Sequence, residues 1–324
     1  MPEPKLLYLS QADVASVGLT MAEIIAALEQ MFREKGEGRV EMPPKPGIHP
    51  VPDAFIHAML AYIPALKSAG IKWVSGYPEN HKRGLPYIGG LLILNDVETG
   101  LPYAVMDCTW ITAYRTGAAT ALSARYLARK ESETVGILAC GVQGHTNLEA
   151  LASEFHLNRV CAYDIDPEAQ RRYVEEMSEK TGLDIVGVDS PKEAVTDSDL
   201  VVTSGPILKH PKPTIDRDWL RPGGFASAVD FDSYWKPEAL QQIDKLSTDD
   251  HDQFKYYKSV GYFQHTPDPY ADLGEIAAKA KPGRERQDER TMAMNLGLAI
   301  DDMAVAPEVF KRAKEKGLGV WLPL

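Results

Sequence analysis

A glycine-rich turn between a strand and a helix constrains this chain more than any other segment. Val135–Leu138 is an apolar run that predicts a buried strand, and it leads through Ala139-Cys140-Gly141-Val142-Gln143-Gly144 into a helical pattern. The turn reads G-x-G-x-x-G with Ala139 at the first glycine. Asp164 ends the next predicted strand, 23 positions after Gly141. This context predicts a dinucleotide-binding turn, whose acidic residue follows after roughly 20 residues.

Each part of the turn has a physical role in that interpretation. Gly141 lets the backbone approach a pyrophosphate, Gly144 lets the helix pack closely on the strand, and the N–H groups at Val142–Gln143 attract phosphates. Asp164 accepts hydrogen bonds from the adenosine ribose, and its charge repels a 2′-phosphate. Because no Arg follows in Ile165-Asp166-Pro167, we expect NAD rather than NADP. The alternative is a glycine turn in another α/β fold.

Strand and helix patterns alternate around this turn. Helices are predicted over 113–130, from 143 and over 167–180, and strands over 134–140, 160–164, 185–188, 200–204 and 224–229. Such alternation predicts an α/β fold of the Rossmann type, with a doubly wound parallel sheet. We expect this domain to span residues 121–296.

The first third of the chain has a different character. Thr20-Met21-Ala22-Glu23 predicts a capping box that opens a helix, and residues 39–53 form an arm broken by five prolines. Strands are predicted over 54–61, 69–74, 89–95 and 101–106, with a hairpin turn at 96–100. A last helix over 298–316 is expected to pack back on this part. The second, β-rich domain therefore comprises residues 1–120 and 297–324.

The composition excludes some classes of protein. The formal net charge is −11, which disfavours nucleic acid as a partner. Cys108, Cys140 and Cys161 are odd in number and lack disulfide or zinc-ligand spacing, so a reducing cytoplasm and no metal are expected. The first residues lack a signal peptide's apolar run, and no stretch approaches the roughly 20 apolar residues that span a bilayer.

Several segments resemble, in order, motifs of the ornithine cyclodeaminase/mu-crystallin family. They are Ile71–Pro78, Tyr114–Ala119, Gly141-Val142-Gln143, Asp272–Ile276 and Lys281–Arg284. The resemblance covers nearly the whole chain. It implies an NAD-binding Rossmann domain, a substrate-binding and dimerising β domain, a homodimer, and hydride transfer at an amino or imino carbon.

Two cations are candidates for the substrate site. The guanidinium of Arg115 is a planar fork that matches a carboxylate, and its position beside Thr116 also allows contact with cofactor phosphate. Its alternative is a surface arginine. Lys72 stands in an apolar strand, so it is either an edge residue facing solvent or a site residue. The resemblance implies a catalytic lysine, and burial beside Arg115 would lower its pKa.

The reaction also needs an acid or base near the substrate nitrogen, because the charge on that nitrogen changes. The resemblance implies that Asp232, just past the strand 224–229, is the acid/base. The segment Val229–Trp235 lacks the usual glycines and prolines, so Asp230 competes for the role and either can be a plain loop carboxylate.

Further site residues follow from the resemblance. Lys45 resembles a second carboxylate-binding cation. His57 is a candidate for the same region, and its alternative is a structural role, which is more common for a lone histidine. The expected lining of the cofactor site adds Thr116, Thr203, Ser204, Val229, Asp230 and Asn295.

The strand that precedes Lys72 bears on the substrate. Ornithine cyclodeaminases carry an acid there, but Phe55–Leu60 has none. Lys45, Lys72 and Arg115, with His57, instead favour a substrate with more than one carboxylate, since buried cations need anionic partners. Iminosuccinate/aspartate is therefore expected ahead of pyruvate-derived imine/alanine. The alternatives are ornithine cyclodeamination and a non-catalytic nucleotide-binding protein.

Overall fold

The chain forms two compact units. The computed structural model describes residues 4–324, apart from the side chain of His81. The first unit runs up to Arg115 and resumes at Leu298–Leu324, and the second is Thr116–Gly297. The boundary between them falls inside one helix and directly before another.

The first unit is built on a seven-stranded sheet. Its strands are β1 (Lys5–Leu9), β2 (Gly47–Ile48), β3 (Phe55–Ile63), β4 (Ser68–Gly76), β5 (Ile88–Asn95), β6 (Pro102–Asp107) and β15 (Val320–Pro323). The sheet order is β15-β1-β6-β5-β4-β3-β2. All pairs are antiparallel except β1 with β6, which are parallel. β4 is therefore an interior strand, paired with β3 and β5 along its length.

Helices cover one face of this sheet. They are α1 (Gln11–Ser16), α2 (Met21–Gly36), α10 (Ala299–Lys316) and the start of α3 (Thr109–Leu127). The capping box predicted at Thr20 and Glu23 is present and begins α2. α10 contacts α2, β3 and β4, and its residues from Ala299 to Ala306 are buried. This packing brings α10 against the buried face of β4.

The other face of the sheet exposes apolar side chains. Alternate strand residues point to opposite faces, so Trp73 and Leu91, which lie opposite each other, point away from the buried Lys72 and Leu92. The exposed apolar residues of this outer face are Tyr8, Leu60, Trp73, Leu91, Val320 and Leu322. Exposed apolar residues that share one face of a sheet are typical of interaction surfaces.

The second unit contains an eight-stranded sheet. Its strands are β7 (Thr134–Leu138), β8 (Arg159–Tyr163), β9 (Asp184–Gly187), β10 (Leu200–Thr203), β11 (Phe225–Ala228), β12 (Lys245–Thr248), β13 (Ala271–Asp272) and β14 (Thr291–Met294). The order is β13-β12-β14-β11-β10-β7-β8-β9, and every pair is parallel. This is the predicted doubly wound parallel sheet.

Helices lie on both faces of that sheet. They are α4 (Val142–Glu154), α5 (Pro167–Thr181), α6 (Pro191–Thr196), α7 (Pro237–Leu240), α8 (His251–Ser259), α9 (Leu273–Ala277) and the rest of α3. Two apolar clusters form the core. One contains Val135 with Leu148 of α4, and the other contains Val201 with Phe254 of α8. Burial on both faces explains why the central strands β7 and β10 are nearly continuous apolar runs rather than alternating ones.

The strand order reverses between β7 and β10. From β7 the chain winds outward through β8 and β9, whereas β10 begins the winding on the other side. Ligands of doubly wound sheets bind outside the carboxyl ends of the strands at such a switch point. The residues that follow Leu138 and Thr203 are therefore placed where a ligand is expected.

Most predicted elements are present with small shifts at their ends, and several were missed. The predicted last helix is α10, which ends before Gly317. The prediction of an irregular arm over 39–53 was wrong in one respect, because this segment contains the short strand β2. The predictions also missed the strands β1, β12, β13, β14 and β15 and the helices α1, α6, α7, α8 and α9. Among the described residues, no helix is long and apolar enough to cross a membrane.

Candidate functional site

The glycine turn follows β7 and has the geometry of a ligand cradle. Ala139, at the first glycine position, has φ of 76°, a left-handed conformation that suits glycine better than alanine. A Cβ on Gly144 would lie 2.6 Å from the carbonyl oxygen of Ala139, so α4 packs on the turn only because that side chain is absent. A Cβ on Gly141 would meet no protein atom within 4 Å. Gly141 therefore faces open space.

The start of α4 offers donors to an anion. Gly141 is its N-cap residue and supplies no side-chain cap. The first N–H groups of a helix have no intrahelical acceptor and carry the positive end of the helix dipole. Val142, Gln143 and Gly144 provide these groups beside the open space at Gly141. The side chain of Gln143 folds back along the helix, where its Oε1 accepts from Asn147 Nδ2 at 3.2 Å.

Asp164 lies beside this turn, because it directly follows β8, the parallel neighbour of β7. Its Oδ2 accepts from the N–H of Cys140 at 2.7 Å, and its Oδ1 accepts from the N–H of Asp166 at 2.9 Å. The carboxylate thus braces the glycine turn from the next strand. Ile165 follows it with 84% of its surface exposed, an apolar side chain where an Arg would be needed to bind a 2′-phosphate.

The carboxyl ends of the neighbouring strands bring further polar groups to the same edge. Ser204 Oγ donates to the carbonyl oxygen of Ala139 at 3.1 Å, which joins the end of β10 to the glycine turn. Asn295 follows β14, and its Nδ2 donates to Ser123 Oγ at 3.0 Å. The Oδ1 of Asn295 is buried and has no hydrogen-bond partner among the described residues. A buried amide oxygen in that state fits an N–H donor of a ligand.

The two aspartates after β11 differ in accessibility. Asp230 is fully buried, accepts from Thr203 Oγ1 at 2.7 Å and from the N–H of Gly205 at 2.8 Å, and burial raises its pKa to about 7. Asp232 is only half-buried and accepts from Thr266 Oγ1 at 3.0 Å, and burial also raises its pKa. Asp230 therefore holds the loop after β10, while Asp232 keeps access to solvent. Val229 joins the same region, because its N–H donates to the carbonyl oxygen of Thr203.

Lys72 is fully buried in the first unit. Interior β4 directs it to the helix-covered face, so the alternative of an edge residue facing solvent was wrong. Its Nζ lies 2.5 Å from Asp302 Oδ2 and donates to Thr112 Oγ1 at 3.3 Å. Burial lowers the pKa of Lys72 and Arg115 lowers it further, while Asp302 opposes both effects. The predicted direction is confirmed.

Arg115 is buried beside the same carboxylates. Its Nη1 lies 3.3 Å from Asp301 Oδ2, and its Nε lies 3.6 Å from Asp302 Oδ1. The alternative of a surface arginine was therefore wrong. The Nε–H of Arg115 has no hydrogen-bond acceptor among the described residues. A buried guanidinium in that state is suited to accept a carboxylate ligand, whose oxygen would satisfy the donor.

His57 and Lys45 lie near Lys72 in the first unit. His57 stacks on Phe55 with ring centroids 4.3 Å apart. Burial, with the charges of Lys45, His49 and Lys72, lowers the pKa of His57 to about 3. His57 is therefore uncharged near neutral pH, and the expectation that it adds to the positive charge of the site was wrong.

Sequence reasoning missed Asp301 and Asp302, the acidic partners of this site. Both lie on the first turns of α10, and both are almost fully buried. The available signal was a pair of acids inside an otherwise apolar segment, Leu298–Ala306. Buried carboxylates are rare unless paired, so such a pair indicates cations elsewhere in the fold.

The structure groups the proposed site residues into two sets. Lys45, His57, Lys72 and Arg115 lie together in the first unit. The second unit holds the glycine turn with Asp164, and the strand ends with the residues Thr203, Ser204, Val229, Asp230, Asp232 and Asn295. Thr116 follows Arg115 on α3 as the first residue of the second unit.

In two segments that resemble family motifs, Asp272–Ile276 and Lys281–Arg284, charged side chains make contacts that stabilise the fold. Asp272 and Glu275 form the capping box of α9, and Glu275 also contacts His251 at 3.0 Å. Ligand-type atoms of these three residues lie within 4.8 Å of one another, but the two carboxylates already serve the cap. Arg284 donates to the carbonyl oxygens of Leu127 at 2.7 Å and Glu289 at 2.7 Å, which ties α3 to the segment before β14.

Known proteins resemble this chain in sequence and fold over nearly its full length. The model of the ornithine cyclodeaminase/mu-crystallin family matches residues 6–317. Alanine dehydrogenase of Archaeoglobus fulgidus is 36% identical, with 97% of each chain covered. Δ1-Pyrroline-2-carboxylate reductase of Thermococcus litoralis, solved with NADH and L-proline, superposes with a TM-score of 0.88 at 32% identity and covers 97% of this chain and 99% of its own.

An archaeal alanine dehydrogenase dimer, solved with bound NAD, gives the same result. It superposes with a TM-score of 0.87 at 34% identity, over 98% of this chain and 99% of its own. The fold, the order of the motifs and these matches agree over nearly the full length. This chain belongs to the ornithine cyclodeaminase/mu-crystallin family.

Proposed function

We propose that this chain is an NAD-dependent oxidoreductase that interconverts a small α-imino acid and its α-amino acid. The observation that carries the proposal is the buried pair Lys72 and Arg115, with a guanidinium N–H that lacks an acceptor. A carboxylate is the ligand that both cations favour. The family supports the reaction class, since its members include dehydrogenases and reductases of amino or imino acids.

The second unit would hold the cofactor. The first N–H groups of α4 and the open space at Gly141 fit a pyrophosphate, and Asp164 fits the hydroxyls of an unphosphorylated ribose. The unpartnered Oδ1 of Asn295 fits the amide of the nicotinamide. When bound, NADH supplies the hydride for the imine carbon, and NAD⁺ accepts it in the reverse direction.

The first unit would bind the substrate. Arg115 clamps the carboxylate through its planar fork, Lys72 holds a second oxygen of it, and Lys45 and His57 contribute at its periphery. A fixed carboxylate orients the carbon that receives hydride, so positioning is the main contribution of these residues. His57 acts there as a neutral hydrogen-bonding group because of its low pKa.

Asp232 is the better candidate for the acid/base. It remains half-exposed, and its raised pKa lets it exchange a proton closer to neutral pH than a free aspartate does. Asp230 is committed to Thr203 and the N–H of Gly205. We therefore assign Asp230 to the loop that follows β10 and the proton transfer at nitrogen to Asp232.

The two buried acids change which substrate we expect. A substrate with two carboxylates was expected because buried cations need anionic partners. Asp302 already provides one for Lys72, and Asp301 one for Arg115. The need for a second substrate carboxylate is thereby removed. We propose pyruvate and ammonia to L-alanine as the first reaction to test, with iminosuccinate to L-aspartate second.

A substrate panel tests the function. Oxidation of NADH is followed with pyruvate or oxaloacetate plus ammonium, and reduction of NAD⁺ with L-alanine, L-aspartate, L-proline and L-ornithine. We expect turnover with a monocarboxylate imino acid and preference for NADH over NADPH. Ornithine turnover alone would favour the cyclodeaminase alternative. Binding of NADH with no turnover on any of these substrates would favour a non-catalytic binding protein.

We also propose that the chain forms a homodimer in the cytoplasm. The exposed apolar face of the first sheet gives a surface to be covered, and the archaeal neighbour was solved as a dimer. Light scattering on wild type and on Trp73→Lys tests the dimer. Dissociation of the variant is expected, and a monomeric wild type would contradict the proposal.

A further inference from the structure

Asp301 and Asp302 are adjacent acids that α10 buries almost completely. Asp301 is 1% exposed and Asp302 is 0% exposed. Removing a carboxylate from water is costly unless a cation and hydrogen bonds compensate. Both acids lie beside Lys72 and Arg115, so the cluster contains two positive and two negative groups.

The two carboxylates have different partners. Asp301 Oδ2 accepts from the N–H of Leu298 at 2.9 Å, which caps the start of α10, and also meets Arg115. In the described part of the chain, no backbone N–H donates to the carboxylate of Asp302. Its oxygens instead face the two cations, 2.5 Å from Lys72 Nζ and 3.6 Å from Arg115 Nε. Asp301 therefore serves the helix, whereas Asp302 is directed at the site.

Charged and titratable groups face Lys72 from each neighbouring element. Asp302 comes from α10, Arg115 from α3, Cys108 from the turn after β6, and His57 from β3. Burial raises the pKa of the Cys108 thiol to about 11, and His57 is uncharged near neutral pH, so neither supplies charge there. Asp302 is the group that opposes burial and Arg115 most strongly.

We propose that Asp302 is the positioning residue that holds the Lys72 ammonium in its charged form and in place to receive the substrate carboxylate. This inference rests on the proposed function for its catalytic consequence. Without Asp302, Lys72 would face Arg115 in a buried environment with no opposite charge at contact distance. Proton loss would then relieve the repulsion, and an uncharged amine binds a carboxylate poorly.

The activity test compares Asp302→Asn with Asp301→Asn. Asn is nearly isosteric, removes the charge and replaces one carboxylate oxygen by an NH2 group. For Asp302→Asn we expect KM for the amino or imino acid to rise at least ~10-fold, with NADH affinity unchanged. The alkaline limb of the kcat/KM profile should move to lower pH by about one unit or more. Asp301→Asn should lower the thermal midpoint without moving that limb.

A second measurement needs no substrate. The folded-state pKa of Lys72 lies below its ordinary 10.5, so the unfolded chain binds more protons and unfolding free energy rises with pH up to about 10.5. In Asp302→Asn this rise should begin at lower pH than in wild type. The double variant Lys72→Met/Asp302→Asn should lack it, which assigns the effect to Lys72.

The outcomes separate this proposal from the proposed function. If Asp302→Asn lowers the thermal midpoint but leaves KM, the alkaline limb and the unfolding profile unchanged, Asp302 is a structural residue and the inference is overturned. If the unfolding profile shifts as expected but wild type turns over no substrate, the inference about Lys72 stands and the proposed function fails. If Asp302→Asn does not fold, Asp302→Glu is used instead. It keeps the negative charge, so the alkaline limb of its kcat/KM profile must lie at the wild-type pH.

Discussion

The two sets of site residues are built in different ways. In the second unit the candidate cofactor site is made of backbone: a turn with two glycines, the N–H groups at the start of α4, and the ends of parallel strands. In the first unit the candidate substrate site is made of oppositely charged side chains from β4, α3 and α10. A backbone site depends on local spacing, whereas a side-chain site depends on distant segments that meet only after folding.

The largest expected effect is on the side-chain site. Lys72→Ala should lower kcat/KM for the imino acid at least ~100-fold, because the substrate carboxylate loses one of its two anchors. The dissociation constant of NADH, measured by fluorescence, should stay within about twofold of wild type. Lys67→Ala, on the same unit, is the control and should leave both unchanged. A matching loss of NADH affinity in Lys72→Ala would contradict the division of roles.

The two aspartates after β11 should separate chemistry from stability. Asp232→Asn is expected to lower kcat about 100-fold or more with little change in the midpoint of unfolding, since it removes a proton carrier from a half-exposed position. Asp230→Asn should lower stability instead, because an amide has one acceptor oxygen, whereas Asp230 accepts from Thr203 with one oxygen and from the N–H of Gly205 with the other. Steady-state rates and denaturant unfolding of both variants decide this, and a reversed pattern would exchange their roles.

The pH dependence of stability gives a further test of Asp230. Its folded-state pKa is about 7 and its ordinary value is 3.8, so the folded protein binds more protons between these values. The stabilising contribution is complete below about 3.8 and is lost as pH rises towards about 7. The difference in unfolding free energy between wild type and Asp230→Asn, measured by urea unfolding across this pH range, should show that decline. A flat difference would mean that Asp230 has an ordinary pKa.

The two glycines of the turn offer a matched pair. Gly144→Ala should destabilise the protein by about 1–3 kcal/mol, because its Cβ would lie 2.6 Å from the carbonyl oxygen of Ala139. Gly141→Ala places a Cβ in open space and should change stability by less than about 0.5 kcal/mol while weakening NADH binding. Unfolding and NADH titration of both variants test this. Unchanged NADH affinity in Gly141→Ala would contradict the proposed pyrophosphate position.

The smallest expected change concerns cofactor choice. Asp164→Ser should weaken NADH binding by about tenfold, because a charged acceptor for the ribose is lost, and should reduce the preference over NADPH. The substitution also removes the carboxylate that accepts from the N–H of Cys140. The thermal midpoint of the variant is therefore measured together with the cofactor titration. If the ratio of the NADH and NADPH dissociation constants stays at the wild-type value, Asp164 is a brace for the turn and not a cofactor ligand.

The same contrast explains what the sequence predicted. The glycine turn, β7, α4 and Asp164 follow one another along the chain, so local spacing and periodicity were enough to predict them. Lys72 and Arg115 were found as unusual residues in apolar or helical surroundings. Their burial and pairing were not predictable, because Asp301 and Asp302 lie about 190 to 230 positions further along the chain.

Short or edge elements were also beyond local patterns. β15 pairs with β1 across almost the whole length of the chain, and β2 is only two residues long. Neither carries a periodic signal strong enough to be recognised alone. The choice between Asp230 and Asp232 likewise required the hydrogen bonds from Thr203 and Gly205, which connect segments that the sequence does not place together.

Transfer of an isotope tests the central claim most directly. NADH deuterated at both C4 positions is incubated with the protein, ammonium and pyruvate or oxaloacetate, and the amino acid is analysed by mass spectrometry. We expect one deuterium at the α-carbon of the product with wild type and almost none with Lys72→Ala. An amino acid free of deuterium, or no amino acid at all despite bound NADH, would contradict hydride transfer to an imino acid.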